Sequence, residues 1–171
     1  AGVFSKNHVD RGTRLLLESL VKNSVSLPES GNLCDLGCGY GPLGVALALL
    51  RPKCTVYMVD INERAVELAR ANVIRHGLGN VRVSQGSGLA PFAGIRFDVI
   101  VSNPPLRTGK ENVYRLLSEA HQALVPGGRL AVVIRTQQGA RSMERYLQEL
   151  FGTVKEAEKG GGFRVYEATR S

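Results

Sequence analysis

The feature that most constrains this chain is a regular alternation of short apolar segments with segments of helical periodicity. Five strand-like segments alternate with helical ones in this way, and the chain ends in a pattern typical of a β-hairpin. Because crossovers between strands of one sheet are right-handed, such a chain forms a mainly parallel sheet with helices on both faces. The predicted strands cover residues 33–36, 54–59, 81–83, 97–101 and 130–134, and the hairpin covers residues 154–159 and 163–168.

The predicted fold is therefore α/β: a doubly wound, mainly parallel seven-stranded sheet with a C-terminal antiparallel hairpin. Helix signals agree, since Asp10 and Asn62 are good N-caps and Pro42 suits a first helical turn. No linker-like stretch divides the chain, so residues 1–171 are predicted to form a single domain. Ligands of such sheets bind beyond the carboxyl ends of the strands, where three polar or glycine-rich segments occur.

Composition excludes several classes of protein. The longest strongly apolar stretch, residues 43–50, is too short to span a bilayer, and no leader pattern precedes it. Three sparse cysteines (Cys34, Cys38 and Cys54) indicate a cytoplasmic location and are too few for a zinc site. The net charge is +7, and 16 of the 22 basic residues are arginine. Two interpretations of this charge stay open, a surface that binds a polyanion or a merely basic protein.

The first polar segment is glycine-rich and follows the first predicted strand. Its sequence is Asp35-Leu36-Gly37-Cys38-Gly39-Tyr40-Gly41-Pro42-Leu43-Gly44. Glycines at this place let the backbone turn sharply and approach a ligand closely. A dinucleotide-binding loop needs its third glycine at position 42, where this chain has proline, so a nicotinamide dehydrogenase is disfavoured.

The second segment ends the second predicted strand at Asp60, 23 residues after Gly37. A carboxylate there can accept both hydroxyl groups of an adenosine ribose. Asn62 is available to cap the next helix, which leaves Asp60 for a ligand. Asp35 adds a second carboxylate that can pair with an ammonium group. Two acids around a glycine loop fit a ligand with a ribose and a positive charge better than a ligand with two phosphates.

The third segment, Ser102-Asn103-Pro104-Pro105-Leu106, follows the fourth predicted strand. Its two prolines restrict the backbone and carry no amide hydrogen. The Asn103 side-chain oxygen and the Pro104 carbonyl can then accept both hydrogens of one amino group. A nucleobase amine is a weak nucleophile because its lone pair is delocalised into the ring. Accepting its hydrogens holds the nitrogen so that this lone pair can turn toward an electrophile.

Together these segments resemble the class I S-adenosylmethionine-dependent methyltransferases whose N-P-P motif positions an amine. Further motifs narrow the resemblance to the small methyltransferase domain family, which includes the ribosomal RNA small-subunit guanine-N2 methyltransferases. Those motifs are Val3-Phe4-Ser5, Val9-Asp10-x-Gly12-Thr13, Asn103-Pro104-Pro105-Leu106-Arg107-x-Gly109-Lys110 and Gly161-Gly162-Phe163-Arg164-Val165. The resemblance covers nearly the whole chain. It implies a Rossmann-like methyltransferase fold with S-adenosylmethionine as cofactor and no metal.

The resemblance also implies roles for the matching residues. Asn103, Pro104 and Pro105 would be catalytic, because they hold the target amine. The residues expected to bind the cofactor are Thr13, Asp35, Gly37, Gly39, Gly41, Asp60, Ile61, Ser87 and Asn103. The residues expected to contact the substrate are Phe4, Leu106, Arg107 and Lys110.

Two positions depart from the pattern of many relatives. Ser87 stands where they place an acidic residue beside the adenine amino group. Leu106 stands where they place an aromatic residue that stacks on the target base. The resemblance is therefore more specific about the reaction than about the target base.

The function implied is that of a cytoplasmic enzyme that methylates an exocyclic amine of RNA. The expected target is guanine N2 of small-subunit ribosomal RNA, and the expected partner is that RNA or the small ribosomal subunit, without a membrane. Adenine-N6 and protein-glutamine N-methyltransferases stay open, because both use the same amine-positioning motif. A non-enzymatic RNA-binding module of this fold is a further alternative.

Two expectations follow for recognition of the RNA. If RNA is the partner, the excess arginines should gather around Asn103 at the carboxyl ends of the strands. The chain begins at Ala1, whereas relatives carry a preceding segment or a second domain. Part of the RNA-recognition apparatus is therefore expected to be missing from these residues.

Overall fold

The computed structural model describes residues 9–171, so Phe4, an expected substrate contact, lies outside the described residues. The strands are β1 (Gly31–Leu36), β2 (Cys54–Asp60), β3 (Val81–Gln85), β4 (Phe97–Ser102), β5 (Leu124–Arg135), β6 (Thr153–Gly160) and β7 (Phe163–Thr169). The α-helices are α1 (Arg11–Val21), α2 (Pro42–Leu50), α3 (Glu63–Arg75), α4 (Lys110–Ala123) and α5 (Ala140–Phe151). Short 3-10 helices cover Ala90–Phe92, Leu106–Thr108 and Thr136–Gln138.

The seven strands form one sheet in the order β3-β2-β1-β4-β5-β7-β6. The pairs among β3, β2, β1, β4 and β5 are parallel. β7 pairs antiparallel with both β5 and β6, which makes it the one antiparallel strand that the terminal hairpin was expected to add. The doubly wound, Rossmann-like fold predicted from the sequence is thus confirmed.

One strand begins earlier than its local sequence indicates. β5 starts at Leu124, six residues before the predicted start at position 130, because Leu124 already pairs with Phe97 of β4. The register then shifts, and Val99 pairs with Arg129. The Pro126-Gly127-Gly128 turn is accommodated as an irregularity within the strand rather than before it.

Two apolar layers cover the two faces of the sheet. The layer against α1, α2 and α3 includes Leu16, Leu47 and Val73. The layer against α4 and α5 includes Leu117 and Leu147. Successive β1 residues are buried on opposite faces, as a central parallel strand requires. Within residues 9–171 no helix is long and apolar enough to cross a membrane.

A close contact between α2 and β2 sets the distance of the helix from the sheet. Gly44 of α2 lies against Met58 of β2, whose side chain is fully buried. An alanine Cβ at position 44 would come within 2.5 Å of the Met58 sulfur. Only glycine therefore allows α2 to approach the sheet this closely, since interiors tolerate little extra volume.

Replacing Gly44 with alanine should lower the free energy of unfolding by about 1–3 kcal/mol, because the added methyl group overlaps Met58. Gly79→Ala is the matched control, since a Cβ at that position meets no atom within 4 Å. It should change the free energy by less than about 0.5 kcal/mol. Urea unfolding followed by circular dichroism measures both variants, and equal stability of the two would contradict this account of the packing.

Candidate active site

The three polar segments meet because their strands are neighbours. Leu36 at the end of β1 pairs with Val59 of β2 on one side and with Ser102 of β4 on the other. The Gly37 amide donates to the Val59 carbonyl at 2.9 Å, and the Ser102 hydroxyl donates to the Leu36 carbonyl at 2.9 Å. The glycine loop, Asp60 and Asn103 therefore leave the sheet side by side at its carboxyl edge, as predicted.

The glycine loop is open at its first two glycines. Gly37 and Gly39 have φ values of +74° and +56°, a region that favours glycine. A side chain built at either position would meet no atom within 4 Å, so free space lies next to this backbone. Gly41, with φ of +100°, instead approaches the Met58 methyl group. Gly41 thus serves the packing of α2, and its expected contact with a cofactor stays a prediction.

Asp60 holds the loop in place from the end of β2. One carboxylate oxygen accepts from the Gly39 amide at 2.8 Å, and the other accepts from the Asn62 amide at 2.8 Å. Asn62 caps α3 through its own side chain, which accepts from the Ala65 amide at 3.0 Å. The cap expected at Asn62 is therefore present, and the Asp60 carboxylate remains half-exposed beside the loop.

A cleft runs along this edge, and we call it the cofactor cleft. Asp60, Ile61 and Ser87 all line it, as expected of cofactor-binding residues. Ile61 is 70% exposed, an unusual state for a large apolar side chain, and an adenine ring packed on it would cover that surface. Open glycine backbone, a carboxylate and an uncovered apolar side chain together fit a ligand with an amino-acid part, a ribose and a base. The full lining is Leu36, Gly37, Val59, Asp60, Ile61, Gly86, Ser87, Gly88, Asn103, Pro105, Thr108, Asn112, Arg115 and Leu116.

Asp35 has a different setting from the one predicted. Its side chain is buried and is not part of the lining of the cleft. One oxygen accepts from the Gly44 amide at 2.9 Å, whereas the other has no hydrogen-bond partner within residues 9–171. Burial raises the pKa of this carboxyl group to about 7, despite the lowering effect of the Gly44 bond. The predicted pairing with an ammonium group stays a prediction, and the unpaired oxygen is the atom that could accept such a donor.

Asn103 is held by the first turn of α1. Its side-chain nitrogen donates to a carboxylate oxygen of Asp10 and to the hydroxyl of Thr13, the latter at 3.0 Å. Both amide hydrogens are thereby used, and the side-chain oxygen has no donor among the described residues. Thr13, expected at the cofactor, is placed against Asn103 and outside the lining of the cofactor cleft. In this structure it orients the amide that the sequence identified as catalytic.

A second cavity of about 660 Å³ lies on the other side of Asn103, within the usual size range of ligand pockets. We call it the target cavity. Asn103 and Pro105 line both this cavity and the cofactor cleft, so they form the boundary between the two. The full lining is Asp10, Asn103, Pro104, Pro105, Leu106, Arg107, Ile134, Arg135, Gln138 and Phe163.

The two prolines organise the turn beside the cavity. The Pro104 carbonyl accepts from the Leu106 amide at 2.9 Å, and the Pro105 carbonyl accepts from the Thr108 amide at 3.0 Å. A carbonyl oxygen has two lone pairs, so Pro104 keeps one acceptor site for an amine. From the sequence this carbonyl was expected to accept an amine hydrogen, and the structure shows that the turn already uses one of its two acceptor sites.

The expected substrate residues divide between two places. Leu106 and Arg107 border the target cavity. Lys110 lies in an adjoining cavity, with its ammonium group 5.5 Å from the centre of the Tyr114 ring. Neither Arg107 nor Lys110 forms an ion pair with any residue from 9 to 171. Their charges are therefore available to an anionic ligand near Asn103.

The arginines gather around Asn103 only in part. Arg107 and Arg135 border the target cavity, and Arg115 lines the cofactor cleft. Arg129 and Arg170, by contrast, lie at the opposite edge of the sheet. Arg129 pairs with Glu167, and Arg170 donates to backbone carbonyls that include that of His121. Arginines thus occur at both edges of the sheet, and the expectation that they gather around Asn103 is only partly met.

Three residues at the site were missed by sequence reasoning. Asn112 and Arg115 of α4 line the cofactor cleft, and Arg115 donates to Asn112 at 2.8 Å. Their spacing of three residues on the polar face of a helix was the available signal. Asp10 was assigned only as a helix cap, and its contact with Asn103 has no local sequence signal. Among residues 9–171 no group of three or more metal-ligating side chains is placed to hold a metal ion.

Comparison with known proteins decides the family. The sequence matches the methyltransferase small domain family over residues 1–167. The chain belongs to this family. Over 171 residues it is 38% identical to the uncharacterized protein YbxB of Bacillus subtilis, covering 99% of this chain and 83% of that protein.

Two further relatives carry names that describe an activity. The chain is 38% identical to ribosomal RNA small subunit methyltransferase C of Pseudomonas aeruginosa, over 99% of this chain and 49% of that protein. The chain therefore spans about half the length of this relative. The structure of the Thermus thermophilus 16S rRNA N2 G1207 methyltransferase (RsmC), in complex with AdoMet and guanosine, superposes with a TM-score of 0.84. That pair is 26% identical and covers 98% of this chain and 45% of the other.

These findings confirm the predicted family of small-domain methyltransferases and its Rossmann-like fold. They also confirm S-adenosylmethionine as the cofactor of this chain. Which residues bind it stays a prediction: Asp60, Ile61 and Gly37 line the cofactor cleft, whereas Asp35 is buried and does not line it.

The raised pKa of Asp35 has a consequence for stability. Between about pH 4 and pH 7 the folded protein holds a proton that the unfolded chain releases, because the pKa rises from 3.8 to about 7 on folding. This contribution to stability is present below pH 4 and is lost as the pH rises to 7. The free energy of unfolding relative to Asp35→Asn should therefore fall with rising pH, by up to about 1.4 kcal/mol per pH unit. Urea unfolding of both proteins from pH 4.5 to 7.5 measures the difference, and parallel pH profiles would contradict the assignment.

Proposed function

We propose that this protein transfers a methyl group from S-adenosylmethionine to an exocyclic amine of RNA, namely guanine N2 of small-subunit ribosomal RNA. One observation carries the proposal: Asn103 and Pro105 line both the cofactor cleft and the target cavity. An amine held at Asn103 from the target cavity would face a ligand in the cleft across this boundary. Such an arrangement suits direct transfer between the two ligands without a covalent enzyme intermediate.

The residues of the cleft divide the cofactor among them. The Asp60 carboxylate would accept the ribose hydroxyls, Ile61 would cover the adenine, and the open backbone at Gly37 and Gly39 would border the methionine part. Arg115 keeps Ser87 and Asn112 on the cleft wall through hydrogen bonds of 3.5 and 2.8 Å. When bound, S-adenosylmethionine supplies an electrophilic methyl group on a positively charged sulfur.

Asn103 contributes to the reaction by holding the amine. Its oxygen accepts one amine hydrogen, and the remaining lone pair of the Pro104 carbonyl accepts the other. The nitrogen lone pair then points away from the acceptors, toward the cleft. Asn103 and Pro104 would thus present the lone pair to the methyl group that the cofactor would supply, and the amine would give up one proton on methylation. That proton leaves to water, so no histidine base is required.

RNA as the substrate is supported by the charges around the target cavity and by relatives. Arg107 and Arg135 border the cavity, and Lys110 adjoins it, where they could bind phosphates flanking an extruded nucleotide. A base must leave the stack to reach Asn103 in a cavity of this kind. The relative in Thermus thermophilus is named for methylation of guanine N2 in 16S rRNA, which favours the same class of target here.

Two substitutions should separate binding of the cofactor from catalysis. Asn103→Ala should lower kcat by about a hundredfold, because the amine is no longer oriented, while the Kd for S-adenosylmethionine changes less than threefold. Asp60→Asn should weaken that Kd by about tenfold, because a charged acceptor is lost. Isothermal titration and a radiolabelled methyl-transfer assay measure the two quantities.

Asp98→Asn is the matched control for Asp60→Asn. Asp98 lies at the start of β4, where it accepts from the Asn32 amide at 2.9 Å, at the edge of the sheet opposite the site. It should leave the Kd for S-adenosylmethionine unchanged. Unchanged turnover in Asn103→Ala would overturn the role given to that side chain.

The target is tested by incubating the protein with small-subunit ribosomal RNA and identifying the methylated product by mass spectrometry. N2-methylguanosine is the expected product. N6-methyladenosine or methylglutamine would instead establish one of the two alternative amine methyltransferases. Salt-dependent RNA binding without measurable affinity for S-adenosylmethionine would show a binding module that keeps the fold.

A further inference from the structure

The Asp10 carboxylate serves two purposes, the start of a helix and a long-range contact. As the N-cap of α1, its carboxylate accepts from the Gly12 amide at 3.3 Å. It also accepts a hydrogen bond from the side-chain nitrogen of Asn103, 93 residues away. Helix capping does not require a charge, since asparagine and serine cap as well as aspartate. The start of the helix therefore does not by itself explain why a charged residue occupies position 10.

Asp10 is placed where it could contact a ligand held by Asn103. Asp10 is exposed, and it lines the target cavity together with Asn103 and Pro104. No lysine or arginine among residues 9–171 forms an ion pair with it. A carboxylate carries two oxygens with about four acceptor sites, so its bonds from the Gly12 amide, the Thr13 hydroxyl and the Asn103 side chain leave capacity for one more donor.

The groups around Asn103 thus form a row of acceptors. The Asn103 nitrogen is fully used by Asp10 and Thr13, so its oxygen is the group left for a ligand. The Pro104 carbonyl has one lone pair remaining, and the Asp10 carboxylate follows on the other side of the amide. A row of this kind fits a ligand edge with several adjacent N–H donors.

Among nucleobase amines only that of guanine has such an edge. Its N2 amine is next to the N1–H donor, whereas the amines of adenine and cytosine are next to ring nitrogens that are acceptors. A glutamine side-chain amide likewise offers its NH2 group without a second adjacent donor. Against the Asp10 carboxylate, adenine would present a lone pair to a negative charge, and a buried acceptor without a donor is strongly unfavourable.

We propose that Asp10 selects the target base: its carboxylate orients Asn103 and accepts the ring N1–H of the guanine whose N2 amine is methylated. The inference rests on the proposed function, because it assumes a nucleobase in the target cavity. It adds a specificity-determining residue and a physical reason for guanine that does not depend on the name of any relative.

Four nucleosides separate the contributions of the two donors. Guanosine carries both the N2 amine and N1–H, 2,6-diaminopurine riboside keeps the amine without N1–H, inosine keeps N1–H without the amine, and adenosine has neither. Their Kd values are measured by isothermal titration into protein saturated with S-adenosylhomocysteine. The wild-type protein should bind guanosine at least tenfold more tightly than 2,6-diaminopurine riboside. Inosine should lie between these two, and adenosine should bind most weakly.

Asp10→Asn keeps one acceptor oxygen for the helix cap and removes both the charge and the second acceptor oxygen, which binds Asn103 in the wild type. It should reduce the preference for guanosine over 2,6-diaminopurine riboside to threefold or less, mainly by weaker binding of guanosine. Glu18→Gln is the matched control, because it removes one negative charge from the exposed face of the same helix and should keep the full preference. Thermal unfolding and the Kd for S-adenosylmethionine should be the same in Asp10→Asn and wild type, which excludes a general structural effect.

The outcomes distinguish this inference from the proposed function. Equal binding of guanosine and 2,6-diaminopurine riboside by the wild type, no measurable binding of either, or a preference retained in Asp10→Asn would overturn the role of Asp10. If ribosomal RNA is methylated at guanine N2 in spite of such a result, the proposed function stands alone. If the guanosine preference depends on Asp10 but ribosomal RNA is not methylated, the base selection stands and the proposed substrate fails.

Discussion

The site depends on the parallel pairing of three neighbouring strands, β2, β1 and β4. Leu36 at the end of β1 is paired with residues near the ends of β2 and β4, so the loops that follow the three strands begin side by side at one edge of the sheet. The amides of Gly37 and Cys38 both donate to the Val59 carbonyl at 2.9 Å, which fixes the start of the glycine loop to β2. The register of paired strands can shift only as a whole, not one hydrogen bond at a time. The pairing of these strands therefore fixes the distance between the cofactor cleft and the target cavity.

Asp35 is an energetically unfavourable feature of the site. Its carboxyl group is buried with a single hydrogen bond, from Gly44, and one oxygen is left unpaired within the described chain. A packed core gains nothing from this arrangement, since burying an unpaired acceptor is unfavourable. The same group lies at the end of β1, just before the glycine loop, and burial raises its pKa to about 7. A buried carboxyl group with a raised pKa next to open glycine backbone is typical of a binding site rather than of a structural turn.

Local sequence patterns were sufficient for the elements and for one edge of the site. Alternation, caps and glycines predicted every strand of the sheet and brought Asp60 to Asn103, because the ends of parallel strands share an edge by rule. Long-range contacts were not predictable in this way. β5 begins at Leu124 because of its partner in β4, and Thr13 meets Asn103 across 90 residues. Neither contact has a period or spacing that a single sequence can show.

The contact between the first turn of α1 and Asn103 orients the side chain of Asn103. Asp10 and Thr13 use both amide hydrogens of Asn103, so its side chain is held in one orientation and its oxygen is left without a donor among the described residues. Gly12 between them leaves little room for a side chain, since a Cβ would lie 3.1 Å from the Phe163 ring of β7. α1 thereby packs closely against the C-terminal hairpin, while its N-cap residue Asp10 holds the side chain of Asn103. Each named residue of the Asp-x-Gly-Thr sequence therefore has a distinct role. Gly12 allows α1 to approach β7 closely, and Asp10 and Thr13 orient the side-chain amide of Asn103.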